Sequence, residues 1–295
     1  MELKRFHGTG VALVTPFAEN GSIDHQQLRD HVESQIAGGV EFLVPCGTTG
    51  ESATMNDREQ AEVIAAVVDA AAGRVPVMAG AGANDTRHAI DLAEGAREAG
   101  ADAILSVSPY YNKPSPAGLF AHYQSIAGVV DVPVIVYNVP GRTGSNISPR
   151  TLMRLADIEN VKGVKEASGD LEQVMQILAQ RPEGFLVLSG DDALTLPMVA
   201  AGADGVISVV SNEAPRPMSD MVRAAIAGDM ERARELHYRL LPLMRANFIE
   251  SNPIPVKSAL EMMGRIRAYF RLPLVPLREE RREELRAALV AAGLL

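Results

Sequence analysis

Short apolar runs alternate along this chain with longer stretches of helical periodicity. The runs at 9–14, 42–45, 75–79, 103–107, 134–137, 161–165, 185–188 and 206–209 have strand length and composition. One phrase repeats between them. Ala99-Gly100-Ala101-Asp102 precedes one run and Ala201-Gly202-Ala203-Asp204 another, and Ala37-Gly38-Gly39-Val40 is a looser copy. Each places a glycine suited to a left-handed helix cap just before an apolar strand. A repeated αβ unit predicts a parallel α/β architecture, and eight strands predict a closed (β/α)8 TIM barrel. A doubly wound open sheet is the alternative. It lacks support here, because no glycine-rich dinucleotide turn follows the first strand and Gly80-Ala81-Gly82 lacks its third glycine. Several helix starts are marked: Asn56 with Glu59 forms a capping-box pattern, while Ser115-Pro116 and Ser148-Pro149 set proline just after a cap. After about residue 212 the strand pattern stops, and 219–227, 230–248, 255–263 and 278–291 read as helices. The expected division is a barrel over 1–228 and a C-terminal helical extension over 229–295.

Composition narrows the partners more than the fold. The 295 residues carry a formal net charge of -9 with no basic run, which makes nucleic acid and anionic membranes poor partners. Asp69 and Arg74 interrupt the best candidate for a membrane span, at 61–77. The N-terminal residues lead into the first strand without a signal-peptide pattern. Cys46 is the single cysteine, so no disulfide forms within one chain, and a reducing, cytoplasmic location is expected.

Barrel enzymes carry their chemistry on the loops that leave the C-terminal ends of the strands. At those positions stand Cys46 to Ser52, Ser108 to Asn112, Tyr137 to Gly144, Lys165-Glu166 and Ser189 to Asp192. Lys165 is one of five lysines. By period-two alternation it shares a face of its strand with Val161 and Gly163, while Lys162 points the other way. A lysine at a strand end is ordinarily solvated. An amine at a barrel mouth instead loses water, which lowers its pKa and frees the neutral nucleophile that Schiff-base chemistry needs. Tyr137, on the adjacent strand, could shuttle protons or simply pack its ring in the core. Thr48 and Thr49, set between glycines, could hold a carboxylate or form an ordinary turn. Arg142, in a Pro-Gly-Arg-Thr-Gly loop, could bind a second carboxylate or lie free on the surface. None of the six histidines directly ends a predicted strand. Asp191-Asp192 reads as solvated or capping, so no metal and no cofactor are expected. Cys46 has no histidine placed to activate it and is expected to be a small buried thiol.

Gly47-Thr48-Thr49-Gly50-Glu51-Ser52, Pro109-Tyr110-Tyr111-Asn112, Tyr137 to Gly144, Gly163-Val164-Lys165-Glu166-Ala167, Ser189 to Asp192 and Asn252-Pro253-Ile254-Pro255-Val256-Lys257 occur in that order. Together they resemble the dihydrodipicolinate synthase family over essentially the whole chain. The resemblance implies a lyase that joins pyruvate to aspartate semialdehyde, with Lys165 as the imine-forming lysine. It implies a proton relay of Tyr137, Thr48 and Tyr111, the last reaching into a neighbouring subunit of a tetramer built as a pair of dimers. It implies that Thr48 and Thr49 hold the pyruvate carboxylate, that Arg142 takes the second carboxylate, and that carbonyls near Gly190 and Ile207 border the site. Sugar-acid lyases of the same superfamily share the lysine and tyrosine but generally lack the arginine. Lysine-inhibited members bind that amino acid at an interface. The matching positions here are Ser52, Ala53, Asp57, Gln60, Asn84, His88 and Tyr110, with His88 where a glutamate is usual.

Overall fold

The computed structural model describes residues 3–295. Its strands are Gly8–Ala12 (β1), Phe42–Val44 (β2), Met78–Gly80 (β3), Ala103–Val107 (β4), Val134–Asn138 (β5), Val161–Glu166 (β6), Leu186–Ser189 (β7) and Gly205–Ser208 (β8). All neighbours run parallel in the order β2-β1-β8-β7-β6-β5-β4-β3. Two hydrogen bonds close the ring between the ends of that order: Leu43 N–H donates to the Pro76 carbonyl at 3.0 Å and Gly80 N–H to the Pro45 carbonyl at 2.9 Å. A helix follows each strand, as the expected (β/α)8 barrel requires. The chain then continues through helices Met230–Ala246, Ile254–Met262 and Glu279–Ala292.

The repeated phrase does more than end helices. Gly100 and Gly202 take positive φ, +93° and +112°, where an L side chain would be strained. The aspartate two residues on then turns back to the preceding strand. Asp102 Oδ2 accepts from Val77 N–H at 2.9 Å, and Asp204 Oδ2 from Val187 N–H at 2.8 Å. Each thereby satisfies a donor near the start of a strand, on the side where the ladder to the next strand has not yet begun. The capping box at Asn56 and Glu59 forms in both directions, and Ser115 and Ser148 cap their helices.

One strand start and one strand register differ from expectation for identifiable reasons. β3 begins at Met78 rather than at 75, because Pro76 has no N–H to donate and Val77 N–H is taken by Asp102. In β6 the register shifts by one residue, since Val134 pairs with Val161 but Ile135 with Gly163. This bulge breaks the alternation. Gly163 and Lys165 face the barrel interior, whereas Val161 joins Val134 in the outer layer, so the three do not share one face as expected. The eighth barrel helix starts at Pro215, four residues before the expected 219.

The interior is filled by Ala12, Phe42, Val44, Leu105, Ile135, Tyr137, Leu188 and Ile207 among others, with Phe6 meeting Phe42 edge-on at the N-terminal end. The ring closure is tight. A Cβ on Gly80 would stand 2.2 Å from the Cys46 carbonyl oxygen and 2.8 Å from Gly47 N. Gly80→Ala should therefore cost about 1–3 kcal/mol in denaturant unfolding, since only backbone lies in the way. Gly95→Ala should be neutral, or stabilising by up to about 1 kcal/mol, because its added carbon sits in a helix and meets nothing within 4 Å. Equal unfolding midpoints for the two variants would contradict the tight closure.

Candidate active site

Lys165 lies at the C-terminal end of β6, paired in register with Tyr137 of β5, and is only 6% exposed. Its inward course needs small neighbours. A Cβ on Gly190 would come within 3.1 Å of Lys165 Cε and 2.7 Å of Ala167 Cβ. The Nζ atom sits 4.3 Å from the centroid of the Tyr137 ring. Burial lowers the pKa of the amine to about 7. The nearby carboxylate of Asp192 opposes that shift, and the positive charge of Arg142 adds to it. The Tyr137 phenol is pushed up to about 12, chiefly by burial, while Arg142 and a hydrogen bond with Thr48 pull it down. Tyr137 is thus a protonated phenol at neutral pH, linked to Thr48 and next to an amine that can lose its proton.

The remaining walls come from loops after other strands. Gly47, Thr48 and Thr49 follow β2, Val139 and Arg142 follow β5, and Gly190 and Asp191 follow β7. They enclose about 140 Å³ together with Phe248 and Asn252 from beyond the barrel. Arg142 stands in a short helical turn, Pro140–Thr143, rather than in an open loop. Its guanidinium reaches the Asn252 carbonyl at 3.4 Å. Asn138 ties the base of this segment, accepting Ile147 N–H at 3.0 Å and donating to both carboxylate oxygens of buried Glu166 at 3.2 and 3.0 Å.

Residues 5–292 match the model of the dihydrodipicolinate synthetase family. The chain belongs to that family. It is 53% identical over 292 residues to the 4-hydroxy-tetrahydrodipicolinate synthase of Koribacter versatilis, covering 99% of this chain and 97% of that one. The crystal structure of dihydrodipicolinate synthase from Aquifex aeolicus superposes with a TM-score of 0.96 at 46% identity, covering 98% and 99% of the two chains. The chloride-inhibited enzyme from Acinetobacter baumannii, complexed with pyruvate, gives 0.96 at 45% identity with the same coverage.

The structure brings Lys165, Tyr137, Thr48, Thr49, Arg142 and Gly190 around one cavity. It does not bring in Tyr111, which is 88% exposed at a φ of +74°. Ile207 is packed in the barrel interior with Tyr137 and Leu188 rather than lining the cavity. A second cavity of about 320 Å³ adjoins the first and shares Thr48, Val139 and Arg142 with it. Ser52, Ala53, Gln60, His88 and Tyr110 line it; Asn84 does not, and Asp57 is engaged by His88 at 2.9 Å. Cys46 is buried in the same wall, and burial pushes its thiol up, away from the reactive thiolate.

Asp192 departs most from the sequence reading. It is 3% exposed rather than solvated, and its Oδ2 accepts Val209 and Val210 N–H at 3.0 and 2.9 Å. Burial raises its pKa to about 6 against these hydrogen bonds. Asn252 and Phe248 line the cavity although the sequence motifs assign them no role there. The Asn252-Pro253 pair that opens the apolar run 253–256 is the available signal for Asn252, since a buried amide needs partners.

Reductive trapping by a small keto acid and borohydride, run at graded pH, reads the Lys165 amine directly. The neutral form is the nucleophile, so the trapping rate should rise through a midpoint near 7. Asp192→Asn removes the charge that favours the protonated amine and should move the midpoint down. A rate that climbs only above pH 9 would contradict the buried, depressed amine.

Proposed function

We propose that this chain is a 4-hydroxy-tetrahydrodipicolinate synthase, which condenses pyruvate with L-aspartate 4-semialdehyde through a Schiff base on Lys165. The observation that carries the reading is the Lys165 amine, buried against Tyr137 with its pKa near 7, in a cavity ringed by Thr48, Thr49 and Arg142. It is supported by the names of relatives about half identical over the full chain. The product belongs to the diaminopimelate route to lysine.

The neutral amine attacks the keto carbon of pyruvate, and Tyr137 with Thr48 delivers the proton that lets water leave as the iminium forms. Loss of a methyl proton gives the enamine, whose carbon then bonds to the aldehyde carbon of the second substrate. The amino group of that substrate attacks the iminium carbon, closes the ring and releases Lys165 as a free amine. Thr48 and Thr49 orient the pyruvate carboxylate, and Arg142 at the mouth receives the carboxylate of the semialdehyde. Tyr111 completes the relay of a neighbouring subunit, which makes the working unit at least a dimer and the expected assembly a dimer of dimers. Its near-complete exposure in the single chain supports this. We place the enzyme in the cytoplasm, in keeping with its single, buried thiol.

Pyruvate with borohydride should add a stable mass to the peptide holding Lys165, and Lys165→Ala should abolish both adduct and turnover. Arg142→Ala should leave the adduct intact but weaken use of the semialdehyde by about 1.5–3 kcal/mol, the worth of a charge-assisted hydrogen bond. An adduct on Lys162 in place of Lys165 would sink the assignment.

The second cavity carries five of the seven positions at which lysine would act as an inhibitor: Ser52, Ala53, Gln60, His88 and Tyr110. An imidazole at His88 supplies no fixed negative charge for a bound amino group. Asp57, which could supply one, is already paired with His88. Losing a close, desolvated charge partner costs about 2–5 kcal/mol. Lysine should therefore inhibit weakly or not at all in a steady-state titration, and strong inhibition at sub-millimolar lysine would refute this.

A further inference from the structure

The second buried lysine, Lys257, lies in the helix Ile254–Met262, beyond the barrel, and both it and Glu51 have side chains 0% exposed. Its amine donates to Glu51 Oε1 at 2.6 Å, to the Thr15 carbonyl at 3.0 Å and to the Tyr269 carbonyl at 2.6 Å. All three hydrogens are thus used, and the rings of Phe17 and Phe270 cover the group at 4.6 and 5.1 Å. A lysine held in this way is no nucleophile. Its partner is the residue that ends the turn carrying Thr48 and Thr49.

That turn depends on outside support. Gly50 N–H donates to the Gly47 carbonyl and Glu51 N–H to the Thr48 carbonyl, each at 3.1 Å. Glu51 itself holds a φ of +57°, which a non-glycine residue adopts only where its surroundings impose it. The surroundings here are Lys257 on the Glu51 carboxylate and Thr15, whose hydroxyl donates to the Gly50 carbonyl at 2.7 Å while its own carbonyl accepts from Lys257. Five residues before Lys257, Asn252 donates to Thr49 Oγ1 at 2.9 Å.

We propose that Lys257 is a positioning residue for pyruvate: through Glu51 it fixes the Thr48-Thr49 turn in the geometry that receives the keto-acid carboxylate. The inference rests on the reading of that turn as the pyruvate-carboxylate site. A lone Lys257→Met would also leave a carboxylate buried without its counter-ion and so destabilise the fold, which by itself says nothing about pyruvate. The double variant Lys257→Met/Glu51→Gln removes both charges and separates the two effects.

In the single variant the KM for pyruvate should rise about tenfold to a hundredfold, the loss expected when hydrogen bonds to a carboxylate are misplaced. The KM for the semialdehyde, which faces Arg142, should change by less than the KM for pyruvate. The double variant should regain most of the lost thermal midpoint and keep the raised pyruvate KM, and borohydride trapping at Lys165 should need correspondingly more pyruvate. A pyruvate KM that returns to the parental value together with the thermal midpoint would overturn the proposal, leaving Lys257 a structural residue. A double variant that cannot fold would overturn it in the same way. If the unaltered protein forms no pyruvate adduct at Lys165, the functional reading fails first; an intact adduct with an unmoved pyruvate dependence in both variants sinks the Lys257 role alone.

Discussion

An ammonium ion keeps its proton at neutral pH while water or a carboxylate can reach it. At Lys165 water is nearly excluded, because the side chain lies inside a parallel barrel, flanked in register by Tyr137 and Leu188 in an interior that Ile207 helps to fill. Desolvation of this kind is what turns an ordinary lysine into an amine that can add to a carbonyl. Much of the local architecture serves it. Gly163 stands on the same inner face, where a Cβ would strike Leu186 and Ile135, and Gly190 leaves room for the lysine stem. The bulge at Lys162 restores the phase of the strand so that Lys165 faces inward, although Val161 does not.

The same cost is met in the opposite way some distance along the chain. Lys257 is buried more completely, yet its amine is saturated by one carboxylate and two carbonyls, so its charge is held rather than released. Burial alone makes neither a catalyst nor a strut; the partners left to the amine decide. The residues from Phe248 to Lys257 also give the cavity two of its walls and hold the Gly47–Glu51 turn from behind. The helices after the barrel are in this sense part of the site.

What could be read in advance follows from how local each signal is. Strand periodicity, glycine caps and serine–proline starts are set by neighbouring residues, and the barrel was legible from them. Lys165 owed more to the order of the motifs around it than to alternation, since the bulge in β6 puts Val161 on the other face. β3 was misplaced, since its start depends on which donors Pro76 lacks and Asp102 takes from another unit. Asp192 reads as solvated or capping because nothing adjacent shows that the N–H groups of Val209 and Val210, just past the end of β8, donate to its buried carboxylate. The partners of Lys257 are separated from it by up to 242 residues, and no local pattern announces them.

Asp192 bears on the chemistry through a balance. The reaction asks Lys165 to be neutral when it attacks and then to carry a cationic iminium in the same place. A fully ionised carboxylate close by would favour the cation and keep the free amine protonated; its complete absence would ease the attack and destabilise the iminium. Asp192 lies between these limits. Burial, and to a lesser degree its neighbour Asp191, oppose its charge, while the Ser208 hydroxyl and two backbone N–H groups stabilise it, which leaves its pKa near 6 and that of Lys165 near 7. At neutral pH, then, a largely ionised Asp192 faces an amine that is partly deprotonated, and both states the lysine must visit stay within reach.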